Sequence, residues 1–224
     1  PGLGSGQSRY RNGAMTTRLI TCLPAVIGAW GKQGAGLLTS ASASKAYDKE
    51  IVTHSDWKQP GKRVVNRCCL GQSLTGDDRI RSLFVYSSNP ACTAPDQNQV
   101  LKGLCRDDLF TVVHERFMTD TARYADIVLP ATTSLEHDDA YYSYGNYTIQ
   151  CGYAAIPPVG QSRSNWRVAC DLAHAMGIDD ECYDRSERDL VEALAASTTK
   201  WPLPVDQPRL SQGLPPPLPL PAAS

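Results

Sequence analysis

The 224 residues carry 22 Lys and Arg against 23 Asp and Glu, a net charge of −1, which excludes the positive field that grips a nucleic-acid backbone. The length suits one domain with appendages, and the longest apolar runs, at 83–86 and 127–130, are strand-sized, far short of the roughly 20 residues of a spanning helix, so no membrane insertion is expected. No charged region followed by an apolar stretch and a small-residue cleavage site opens the sequence, and a cytoplasmic location is the expectation.

In chain order, Pro1-Gly2-Leu3-Gly4-Ser5-Gly6 is a glycine-rich opening with no strand before it. Met15, Leu19, Leu23, Ile27 and Trp30 recur every three or four residues, which predicts a helix with one apolar face. Asn12 or Gly13 starts it, Pro24 should bend or break it, and the glycines at 28, 31, 34 and 36 end it. The polar stretch 38–78 reads as an excursion over the surface, so residues 1–81 form an N-terminal segment of kinked helix and long surface excursion in this reading. A continuous apolar run makes 83–86 a buried strand, and Ser87-Ser88-Asn89-Pro90 ends it in a turn. Pro95 and Asp96 then open a helix with the stripe Val100, Leu101 and Leu104. A strand at 109–114, a short helix at 119–124 with Thr119 as its cap, and a strand at 126–129 closed by Pro130 follow. Residues 147–151 suggest a further strand, 164–176 a helix capped by Ser164 and ended at Gly177, and 186–196 a helix with Ser186 and Asp189 as a loose capping box. Strands alternating with helices predict an α/β unit over 82–197, a three-layer, mainly parallel sheet of Rossmann-like type with helices on both faces. Eight of the 16 prolines lie in 201–224, so 198–224 reads as an extended or disordered tail.

Ligands of an open parallel sheet bind beyond the carboxyl ends of its strands, which directs attention to 87–92, 114–121 and 130–139. Asn89 and nearby backbone amides can approach an anion, and Glu115 stands where a carboxylate accepts hydrogen bonds from ribose hydroxyls, giving a nucleotide-shaped site. Each feature has a plainer reading. Asn89-Pro90 is a common turn, His114-Glu115 a surface pair, and Glu136-His137-Asp138-Asp139 a solvated loop or a metal cluster. Four consecutive side chains do not readily converge on one ion, so no metal ligand is expected. No G-x-G-x-x-G follows the first strand and no G-x-x-x-x-G-K-[ST] occurs, which argues against a standard NAD or P-loop site. The eight cysteines, at 22, 68, 69, 92, 105, 151, 170 and 182, include no C-x-x-C and are expected as buried free thiols; Cys68-Cys69 is the one adjacent pair. Asn146-Tyr147-Thr148 fits a glycosylation acceptor but carries no weight without secretion.

The run Leu83-Phe84-Val85-Tyr86-Ser87-Ser88-Asn89-Pro90, followed by Thr119-Asp120-Thr121-Ala122-Arg123-Tyr124-Ala125-Asp126-Ile127-Val128-Leu129-Pro130-Ala131-Thr132-Thr133 and Leu135-Glu136-His137, resembles the molybdopterin oxidoreductases of the dimethyl sulfoxide reductase and formate dehydrogenase type. Ser8-Arg9-Tyr10-Arg11-Asn12-Gly13, the stretch 28–36 and Ser162-Arg163-Ser164-Asn165-Trp166 add to the resemblance. It implies a molybdenum cofactor, molybdopterin guanine dinucleotide, lying across Ser88, Asn89, Pro90, His114, Glu115, Thr119 and Thr121, with Arg9 and Asn12 as further contacts. No iron–sulfur cysteines, molybdenum ligand or closing barrel are recognisable. The resemblance therefore implies a central fragment, inactive by itself, with no catalytic residue and the iron–sulfur cluster outside this chain. Its partners would be the remaining domains of the same enzyme and electron-transfer subunits. Two alternatives are an electron-transfer scaffold related to the large subunit of respiratory NADH dehydrogenase, and a nonfunctional truncated product.

Overall fold

The computed structural model describes residues 5–37, 47–76, 80–142 and 149–197. The opening to Gly4, the Asn146-Tyr147-Thr148 triplet and the tail 198–224 lie outside the described residues.

Helix α1 spans Gly13–Val26 after a short 3-10 turn, and Asn12 precedes it without a side-chain cap bond. It runs unbroken past the expected break, with Pro24 inside its last turn, where the missing N–H removes a single bond, the one to the carbonyl four residues earlier. The expected apolar face exists, but Met15, Leu19, Leu23, Ile27 and Trp30 are 51–73% exposed. The stretch expected to cross the surface carries α2 (Glu50–Thr53) and α3 (Leu70–Thr75), and it supplies buried Tyr47 and Leu74 to two separate cores.

Strand β1 (Ser82–Tyr86) leads into the short α4 (Pro90–Thr93), which the sequence reading treats as a turn, and then α5 (Gln97–Leu104). Asp96 starts α5 by accepting a hydrogen bond from the Gln99 N–H. Strands β2 (Phe110–Glu115) and β3 (Ile127–Pro130) follow, joined by a 3-10 turn at Ala122–Tyr124 in which Thr119 Oγ1 accepts from the Ala122 N–H. The three pair in the order β1-β2-β3, both pairs parallel, as the alternation of strands and helices predicts. A parallel bridge between Ala131 and Arg163 extends the sheet by one step.

One face of the sheet is packed. Leu83 and Leu109 join Leu74, Ala91, Val100 and Leu104 beneath α3 and α5, while Val85 and Val113 close on Ala122 and Ala125. Leu74, Val100 and Val113 are fully buried, each worth about 1.5–3 kcal/mol relative to exposure. The other face departs from the expectation that both faces are covered: Phe84, Tyr86 and Phe110 are 43%, 59% and 49% exposed. Phe84 and Phe110 border a groove of about 880 Å³ between the sheet and Val168 and Leu172, and Tyr86 lines a neighbouring pocket against Val168, Ala169 and Leu172.

Strands β4 (Asp139–Tyr142) and β5 (Ile149–Gly152) form a separate antiparallel pair. The sequence reading finds only the second of them. Ile149 and Cys151 pack with Tyr47, Val191 and Ala195. Helix α6 (Asn165–Ala175) starts at Ser164, whose Oγ accepts from the Arg167 N–H. Helix α7 (Glu187–Ala196) starts with the expected capping box of Ser186 and Asp189. All eight cysteines are free, but only Cys151 and Cys170 are buried, a correction to the expectation that most are.

Candidate functional site

The carboxyl ends of all three parallel strands open onto one cavity of about 390 Å³. Ser87 reaches it from the end of β1, His114, Glu115 and Arg116 from β2, and Ala131 and Thr132 from β3; Ser164, Asn165 and Trp166 close the far side at the start of α6. Glu187, at the start of α7, joins that wall by accepting the Ser164 hydroxyl. The bridge at Ala131 and Arg163 explains this convergence. Thr132 N–H donates to the Arg163 carbonyl at 3.1 Å, and Arg163 N–H to the Pro130 carbonyl at 3.1 Å, so the chain entering α6 runs beside β3.

His114 is buried and its Nε2 lies 3.0 Å from the same Arg163 carbonyl. A carbonyl only accepts, so Nε2 carries the proton. Glu115 Oε1 accepts from the Arg116 N–H at 2.7 Å, and among the described residues its second oxygen has no protein partner. Carboxylates dominate the lining: Glu115, Asp138, Asp139 and Glu187 against Arg116 and the two histidines. Such a wall favours ligand groups that donate hydrogen bonds, hydroxyls and ring N–H, over phosphate.

Of the nine residues singled out in the sequence, the structure brings His114 and Glu115 into the cavity. Ser88, Asn89 and Pro90 follow Ser87 in sequence but do not line the cavity, and Asn89 bonds to Thr121. Thr121 itself is fully buried. Thr119 caps the neighbouring turn, and Arg9 and Asn12 are exposed residues next to α1 that do not line the cavity. The sequence reading misses Ser164, Asn165, Trp166 and Glu187 as site residues. Their signal lies in two predicted helix starts, which become a cavity wall only through the bridge at Arg163.

The acidic run 136–139 is neither a solvated loop nor, among the described residues, part of a metal-binding group. Buried Glu136 accepts from the Thr133 N–H at 2.6 Å and the Val159 N–H at 2.7 Å. These bonds, Thr133 first, hold its carboxyl down at about 2. Burial pushes the Asp138 carboxyl up, but bonds from the Arg188 guanidinium and the Ala154 N–H outweigh this and leave it below its ordinary value. A carboxylate with a depressed folded value stabilises the protein above its unfolded value and loses that contribution as pH falls. Glu136 therefore contributes fully above its ordinary 4.5, and the contribution disappears as pH drops toward about 2. Glu136→Gln, which turns an acceptor into a donor facing N–H groups, is expected to lower stability at neutral pH and flatten the acid limb of the curve. Urea titrations at stepped pH measure both.

A family profile described as molybdopterin oxidoreductase matches residues 2–175. The chain belongs to the molybdopterin oxidoreductase family. This member is 43% identical over 191 residues to "Probable oxidoreductase YoaE" of Bacillus subtilis (strain 168), covering 84% of this chain and 28% of the relative. It is 29% identical over 195 residues to the trimethylamine-N-oxide reductase of Haemophilus influenzae, covering 81% of this chain and 22% of that protein. The molybdopterin oxidoreductase chain thus spans between a fifth and a third of these relatives' length. Among solved structures, acetylene hydratase from Pelobacter acetylenicus shares the fold with a TM-score of 0.56 at 21% identity, over 77% of this chain and 24% of the other. Among the described residues no helix is long and apolar enough to cross a membrane.

Proposed function

We propose that this chain forms the part of a molybdenum-dependent oxidoreductase that holds the nucleotide end of a molybdopterin guanine dinucleotide, with the nucleoside in the cavity at the strand ends. Family membership supports a molybdenum–pterin cofactor. The observation that carries the placement is the carboxylate-rich lining at the carboxyl ends of parallel strands, where α/β sheets take their ligands. The cavity's volume falls in the range of small-molecule sites, and its acceptors suit ribose hydroxyls and the N–H edge of guanine. When bound, the cofactor supplies the redox chemistry. This chain's residues bind and orient it: the free oxygen of Glu115 accepts from ribose hydroxyls, His114 fixes the far wall through Arg163, and Ser88, Asn89 and Pro90 shape the rim. In the same reading the sheet is the centre of a three-layer, Rossmann-like unit whose third layer is α6, set off from the exposed face by the groove at Val168 and Leu172, and redox turnover, the iron–sulfur cluster and electron-transfer partners belong to the whole protein. The relatives matched here give no support to the pterin-free scaffold alternative.

Glu115→Ala in the complete enzyme is expected to weaken cofactor retention about 10-fold or more, the effect of losing a hydrogen bond to a charged group. Purified variant and wild type are compared for molybdenum, pterin and acid-released guanosine monophosphate per protein. Wild-type content of all three in the variant overturns the placement, and pterin without guanosine monophosphate overturns the guanine form.

A further inference from the structure

We infer that Asn89 and Thr121 are positioning residues that clamp the β1 exit turn to the crossover between β2 and β3, setting the rim of the cavity without touching its ligand. The inference rests on reading the cavity as a nucleotide site and goes beyond it by removing two residues from the contact set.

Three observations carry it. Ser87, which lines the cavity, has φ +50, a left-handed backbone that a residue other than glycine adopts only when its surroundings enforce it. Two residues later, Asn89 Oδ1 accepts both the Thr121 N–H at 3.1 Å and the Thr121 hydroxyl at 2.7 Å. Since the Thr121 N–H can only donate, the amide orientation is fixed, and Asn89 Nδ2 turns to Asp120 Oδ2 at 3.3 Å. The Thr121 hydroxyl also accepts from the Ala91 N–H at 3.0 Å. Its proton is already committed, one lone pair is occupied, and the side chain is fully buried, so it offers nothing to a ligand.

These bonds join residues about thirty positions apart and bracket the strained turn from its carboxyl side. Ser87 itself reaches the cavity, whereas neither Asn89 nor Thr121 does. Losing the clamp lets the turn relax out of the left-handed region and displaces the rim.

The test uses the purified holoenzyme and measures the rate of pterin release under native conditions alongside the midpoint of global unfolding. A residue that only supports the fold moves the midpoint; a positioning residue moves release well below that midpoint. Thr121→Val is expected to speed release about fivefold to tenfold, the scale of one or two lost hydrogen bonds, while Thr121→Ser, which keeps the hydroxyl, stays within about twofold of wild type. Asn89→Asp keeps an acceptor but sets a second charge beside Asp120, so it should release faster than Thr121→Ser. If Thr121→Val does not fold, the order of the Ser and Asp variants decides. Glu115→Ala serves as the reference. Fast release from Glu115→Ala with wild-type release from Thr121→Val and Asn89→Asp overturns the clamp and leaves the site standing. Wild-type release from Glu115→Ala overturns the nucleotide reading itself, and equal loss in Thr121→Ser and Thr121→Val overturns the role of the hydroxyl.

Discussion

Leu74→Ala is expected to lower the unfolding free energy by about 2–5 kcal/mol, the range for emptying a leucine-sized space in a packed core. Leu74 has no exposed surface and sits at the centre of the cluster formed with Ala91, Val100, Leu104 and Leu109. It reaches that cluster from α3, so its loss uncouples a helix before β1 from the packed face of the sheet. Leu74→Met nearly conserves volume and should cost less than about 1.5 kcal/mol. Urea unfolding of both variants, followed by circular dichroism, measures the pair, and equal midpoints would place Leu74 outside the cooperative core.

Gly103→Ala is expected to destabilise by about 1–3 kcal/mol through overpacking, against the roughly 1 kcal/mol that alanine ordinarily adds in a helix interior. A Cβ on Gly103 would lie 2.4 Å from Leu74 Cβ, and one on Gly71 would lie 2.9 Å from Gln99 Cβ. Helices α3 and α5 therefore meet backbone to backbone through two glycines. The blocking atom is a Cβ, which alanine retains, so Leu74→Ala does not rescue Gly103→Ala, whereas Leu74→Gly relieves the clash at the cost of a cavity. A thermal-melt series of the two singles and both doubles checks this. A Gly103→Ala variant more stable than wild type would mean that the two helices separate freely.

These glycines mark where the sequence stops being informative. Caps are local, so Ser164 before α6 and the Ser186–Asp189 box before α7 are legible three residues at a time. The parallel strands are legible too, because their runs of apolar and β-branched residues leave few alternatives. Glu136 is not: its acceptors face N–H groups from Thr133 and from Val159, more than twenty positions on, and no spacing rule reaches that far. The same holds for Glu187, which enters the cavity wall through Ser164, and for Thr121, whose residue type suits a ligand contact but whose hydroxyl is already occupied by Asn89 and Ala91. Periodicity finds the apolar face of α1, yet it says nothing about what that face meets, and among the described residues it stays exposed.

The parallel pairing also governs the order of assembly. Ser82 pairs with Phe110, and Val112 with Ile127, so neither pair can zip from a tight hairpin, and each waits for the intervening helix or turn to close its loop. Contacts between positions this distant slow a folding search far more than they weaken the finished state. The cavity draws on residues from Ser87 to Glu187, and its last wall arrives with the chain entering α6 and α7. No partly folded subset of the chain can hold this cavity, and a ligand that recognises it selects only molecules in which every crossover has already closed.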